Sequence, residues 1–172
     1  DERAVDYEQE EALDKMIGLA STGTARPNAK SDLDGETKSE KRFIVRYQYA
    51  PLAVSNNSRE FCRKMVAARK IYRKEDILSM GERAVNAGWG KGGDDTYSIW
   101  LYKGGGGCHH YWMRKTYLAK DGVKPDVNSP KTKPIYKQQR AKEGIKAPSK
   151  TKEPSKVSIK PKDMANRGFV NK

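Results

Sequence analysis

Residues 98–117, SIWLYKGGGGCHHYWMRKTY, decide how this chain is read. The aromatic and aliphatic run from Tyr97 to Tyr102 reads as a strand. Four glycines follow and deliver Cys108, His109 and His110 to a short segment that carries Trp112 and Tyr117 and reads as a helix. The other cysteine, Cys62, stands upstream in SREFCRKMVAARKIYRKED, residues 58–76. Both cysteines and both histidines of the chain therefore fall in one block that a single small fold can draw together. Two chemistries suit that arrangement: a Cys/His-stapled structural module, or a reactive thiol beside a histidine. The rest of the chain favours the first.

Upstream, Phe43, Val45, Tyr47 and Tyr49 alternate with Ile44, Arg46 and Gln48, the period of a half-buried strand that Pro51 ends. Asn57 or Ser58 is placed to cap a helix running to about Arg69, with Phe61, Cys62, Met65 and Val66 as its buried stripe. A second helix is expected over 74–85, with Ile77, Leu78, Met80 and Val85 inward. The stretch NAGWGKGGDD, 86–95, is a turn-rich loop anchored by Trp89. Strand, helix, helix, strand, helix makes an α+β fold. Its expected core is Phe43, Tyr47, Phe61, Met65, Ile77, Trp89, Trp100 and Trp112.

Charge divides the chain into three parts. Residues 1–42 carry 7 basic and 11 acidic side chains, 43–112 carry 11 and 6, and 113–172 carry 17 and 5. The net charge of +13 thus sits almost wholly in the last third, whereas the large apolar residues gather in the middle. The expected organisation is a small compact domain over 43–118 with long extended arms, an acidic helix and linker over 1–42 and a basic Pro/Lys-rich tail over 119–172. Val5, Leu13, Met16, Ile17 and Ala20 fall close to one face of a helix over 2–20. Residues 21–41 read as a linker or a surface-laid loop. In the tail, prolines at 125, 130, 134, 148, 154 and 161 and isolated hydrophobics cannot close a core, and 157–170 reads as a strap that orders on a partner. No stretch approaches the roughly 20 apolar residues of a membrane span. Two cysteines make no disulfide framework, so free thiols in a reducing cytoplasm are expected.

For chemistry, Cys62, Cys108, His109 and His110 are the candidate metal ligands, zinc being the metal their donor types suit. Three adjacent side chains do not readily meet one ion, so a water or a carboxylate would complete the shell. Nucleophilic catalysis by Cys108 lacks an oriented base and an oxyanion donor, and no enzymatic role is expected. GWGKGG, 88–93, lacks the Ser or Thr that closes a P-loop and reads as turn glycines. Lys131, Lys133, Lys137, Arg140, Lys142, Lys146, Lys150 and Lys152 are the candidate contacts to a partner or to non-specific DNA.

Arg59, Phe61, Cys62, Tyr72, Glu75, Asp76, Ile77, Cys108, His110 and Trp112 together resemble the C-terminal Cys/His module of tailed-phage head-morphogenesis proteins of the Mu F type. ASTGTARPNAKSDLDG, 20–35, with the block from Ser58, is similar to the portal region of virion structural proteins in crAss-like podoviruses of gut Bacteroidetes hosts. The likeness covers roughly 19–118. It implies a virion component of the portal or head vertex, or an internal capsid protein, that assembles in the host cytoplasm as the end of a longer polypeptide. Its implied partners are portal or other head-vertex subunits in a homo-oligomeric ring. A basic protein packaged with the phage genome is the alternative.

Overall fold

A computed structural model describes residues 22–146. These form an α+β body on a five-stranded sheet whose pairings are all antiparallel. Its strands are β1 (Gly35–Glu36), β2 (Arg42–Ala50), β3 (Ile71–Tyr72), β4 (Tyr111–Ala119) and β5 (Thr132–Ile135). The helices are α1 (Glu60–Ala68), α2 (Lys74–Met80), α3 (Ile99–Tyr102) and α4 (Lys137–Lys142). The order across the sheet is β1-β2-β4-β5, and β3 also pairs with β2. Because β1 meets β2 at Arg42 and Phe43 while β3 meets it at Tyr47 and Gln48, the two short strands share one edge of β2 end to end. Asp34 fills the gap between them, its Oδ1 accepting the Val45 N–H at 3.3 Å.

The core lies where α1, α2 and α3 close over Val45, Tyr47 and Tyr49. Trp112 stands opposite Tyr49 across the β2–β4 ladder and is fully buried. Its Nε1 donates to the Ile99 carbonyl at 3.2 Å, and its ring meets Tyr49 and Tyr72 edge-on at 5.1 and 5.5 Å. The stripe Phe61, Cys62, Met65 and Val66 of α1 is buried as its spacing predicts.

Several sequence expectations change. The run expected to be a strand over 97–102 is the single-turn helix α3, started by Ser98, whose hydroxyl accepts the Leu101 N–H at 3.2 Å. The segment expected to be a helix around Trp112 and Tyr117 is β4, the long partner of β2. Its Tyr, Trp and Thr residues favour a pleated surface over a helix. Helix α2 stops at Met80 and leaves Leu78 half exposed; Gly81 and the turns after it carry Val85 back to the core. The residue that starts α1 is Arg59, not Asn57 or Ser58, and no side chain caps it.

Strand β2 is buried on both faces rather than one. Arg46, 1% exposed, uses all five of its N–H groups. They go to Asp34 Oδ1 and Oδ2 at 2.5 and 3.1 Å and to the carbonyls of Pro27, Val45 and Ala29. A second buried pair joins Arg73 to Asp76 at 2.6 Å, and Asp76 also accepts the Arg26 N–H. Of the two readings for residues 21–41, the described part is therefore a loop laid on the body. The packed body also passes residue 118, because β5 pairs with β4 and Ile145 is buried. The amphipathic stretch expected over 2–20 and the strap expected over 157–170 lie outside the described residues.

Candidate metal centre

Four elements converge at one end of the sheet. Helix α1 contributes Cys62, the glycine loop ends at Cys108, His110 immediately precedes β4, and Tyr49 comes from β2. Cys62, Cys108 and His110 are 2, 5 and 7% exposed. The two sulfurs stand 3.8 Å apart, and Cys108 Sγ lies 3.8 Å from His110 Nδ1. One ligand atom from each of the three falls within 4.8 Å of the others, so the group could hold a metal ion. Both cysteines are free thiols, as expected from their number.

The backbone is arranged for this approach. A Cβ at Gly104 would lie 2.5 Å from Cys62 Sγ and 3.2 Å from Cys108 Sγ, so a side chain there cannot coexist with both sulfurs. Arg59 clamps the loop, donating from Nη1 to the Gly104 carbonyl at 2.8 Å and from Nη2 to the Gly106 carbonyl at 2.5 Å. Its guanidinium lies 4.2 Å above the Trp89 ring, which gives the expected anchor of the 86–95 loop a partner. Asn86 also donates to the Gly104 carbonyl, at 3.1 Å, and the Tyr97 hydroxyl donates to the Lys103 carbonyl at 2.6 Å.

The sulfurs share a proton economy with Tyr49. Its hydroxyl lies 3.3 Å from Cys62 Sγ and 3.6 Å from Cys108 Sγ, and its ring stacks on His110 at 5.0 Å. The hydrogen bond from Cys62 holds the Cys108 thiol low, and His110 adds to that. The same bond and burial push Cys62 up. Burial first, then the two sulfurs, raise Tyr49, which keeps it a neutral donor. Thus one sulfur is poised to be a thiolate with donors already aimed at it. His110 Nε2 is buried with no hydrogen-bond partner among the described residues.

His109, expected as a ligand, is exposed and outside the group. In an extended approach to a strand, alternate side chains take opposite sides, so 108 and 110 face inward together and 109 does not. Tyr49, Lys103 and Gly104 were missed as site residues. Only Tyr49 left a signal, since its strand period put it on the core face. Of the basic candidates, Lys131 and Lys133 line a groove of about 620 Å³ together with Lys41 and Lys120. Lys137, Lys142 and Lys146 are exposed and Arg140 half-buried, and none of these four lines that groove. Lys150 and Lys152 lie outside the described residues. Among the described residues no helix is long and apolar enough to cross a membrane.

Compared with known proteins, the chain matches no family model, no curated protein and no solved structure.

Proposed function

We propose that the chain is a non-enzymatic structural protein whose body is stapled by zinc at Cys62, Cys108 and His110. It serves as a virion component of a tailed phage, at the portal or head vertex or inside the capsid. The zinc reading is carried by the spacing of the sulfurs. Two thiolates bound to one tetrahedral zinc at about 2.3 Å stand roughly 3.8 Å apart, and the sulfurs of Cys62 and Cys108 are 3.8 Å apart. Tyr49 then donates its one O–H to a thiolate from behind and steadies His110 by stacking, the outer-shell role that zinc sites use.

The structural rather than enzymatic reading is supported by what the ten motif residues do. Phe61, Tyr72, Ile77 and Trp112 are core, and Asp76 and Glu75 tie down the 26–34 loop. Arg59 clamps the glycine loop, and the remaining three form the metal group. The motif is used up in holding the body together. The virion assignment rests on the resemblance of that motif to phage head proteins. In it the basic tail binds neighbouring subunits of a ring, where symmetry multiplies weak contacts.

The test is peptide-mapping mass spectrometry of purified particles, with copy number and zinc content determined together. A fixed copy number that fits a ring, with one zinc per chain, is expected. Absence from particles, or an amount that varies with DNA content, overturns the vertex reading. The variable amount would favour the genome-packaged alternative, which the lysines of the 41/120/131/133 groove support. That alternative requires DNA binding that collapses as salt rises.

A further inference from the structure

The metal group has an outer face. Cys62, Cys108 and His110 all line one cleft of about 340 Å³, whose other walls include Pro51, Ser55, Ser58, Arg59 and the exposed His109, which stands outside the metal group. Tyr49 is absent from that lining and meets the sulfurs from the core side. Three protein donors leave a tetrahedral ion one position short. Among the described residues no further Cys, His, Asp or Glu joins the group, and no acidic side chain lines the cleft. We propose that the metal held by Cys62, Cys108 and His110 keeps its fourth position open to this cleft and takes an external carboxylate there. The inference rests on the metal reading above and names the ligand of the same site.

Charge decides the ligand class. Two thiolates and a neutral imidazole cancel the charge of a divalent ion, so the centre itself neither attracts nor repels an anion. One cation tips the balance: Arg59, whose side chain reaches the glycine loop beside the sulfurs. Arg59, Ser55 and Ser58 all form part of the cleft wall. A carboxylate entering the cleft thus meets the ion, the Arg59 guanidinium and two serines.

The full chain loaded with cobalt(II) tests this, because the thiolate-to-cobalt charge-transfer band reports the sulfurs while the visible ligand-field bands report the fourth position. Sodium acetate is the probe, with sodium chloride at matched ionic strength as the control. The expected result is a saturable change in the ligand-field bands with acetate and none with chloride, while the charge-transfer band persists. If the bands without acetate do not depend on protein concentration, the carboxylate is a free one. If they do depend on it and acetate reverses the dependence, a second copy's side chain supplies the ligand. Ligand-field bands insensitive to both acetate and protein concentration mean that the chain closes its own site, and the inference is wrong. Failure to bind cobalt at all removes the metal reading as well, which separates the two failures.

Discussion

Two of the polar centres buried in this small body differ in completeness. At one, Arg46 spends every N–H it has, on Asp34 and on three carbonyls. At the other, two thiols lie 3.8 Å apart and His110 Nε2 is buried with no partner among the described residues. Burying an unmet polar group costs about 1–3 kcal/mol. The first centre is finished by the chain alone; the second could hold a metal ion.

The largest effect should come from breaking the finished centre. Asp34→Ala leaves the Arg46 guanidinium buried without its counter-ion, which should cost about 3–5 kcal/mol in urea unfolding. The same loss is expected in chelator and in saturating zinc. A loss that zinc repairs would mean the two centres are one coupled unit. Next comes the metal itself. Zinc at a thousandfold its dissociation constant should stabilise the chain by about 4 kcal/mol, read as a rise in the unfolding midpoint. Cys62→Ser and Cys108→Ser should each abolish that rise and His109→Ala should leave it intact. Persistence of the rise in Cys108→Ser would place the metal elsewhere. Binding should weaken as pH falls, since thiols and imidazole must shed protons to ligate.

How far the sequence carries depends on the range of each signal. The α1 stripe and the β2 period were legible because they are local patterns of apolar spacing. Tyr97–Tyr102 and Trp112–Tyr117 exchanged types because an aromatic run of that length fits either element, and only the ladder from Tyr111 to Leu118 against β2 decides between them. The Cys/His group was legible as composition, and His109 was excluded only once the approach to β4 had a direction. Residues 22–42 and 119–146 were read as loop and tail, because nothing local announces that Asp34 will meet Arg46 twelve positions on. Their order comes from long-range polar pairs, which leave no period in the sequence.

A smaller effect tests how tightly the unfinished centre is built. Gly104→Ala places a methyl group 2.5 Å from Cys62 Sγ and 3.2 Å from Cys108 Sγ, and the sulfurs must shift to admit it. Overpacking of this kind costs about 1–3 kcal/mol. The zinc-dependent rise should shrink with it, whereas Gly92→Ala, which meets nothing within 4 Å, should keep the full rise despite its positive φ. Equal zinc responses in the two variants would show that the sulfurs are not held to their spacing by the loop.

The smallest effect concerns Lys103, whose buried ammonium stands beside this centre. Burial lowers it from 10.5 to about 8, while the Cys108 charge pulls it the other way. Between those two values the unfolded chain binds more protons than the folded one, so stability rises with pH across that window. Below about 8 both states are protonated, and the cost of burying the charge is constant and at its full size. Lys103→Met should therefore flatten the alkaline rise, measured as the difference between the two proteins' unfolding midpoints at each pH. Zinc sharpens the test, because binding cancels the thiolate charge that supports the ammonium. With zinc the rise should begin at a lower pH than with chelator. A rise that starts at the same pH in both would mean that Lys103 does not feel the sulfurs.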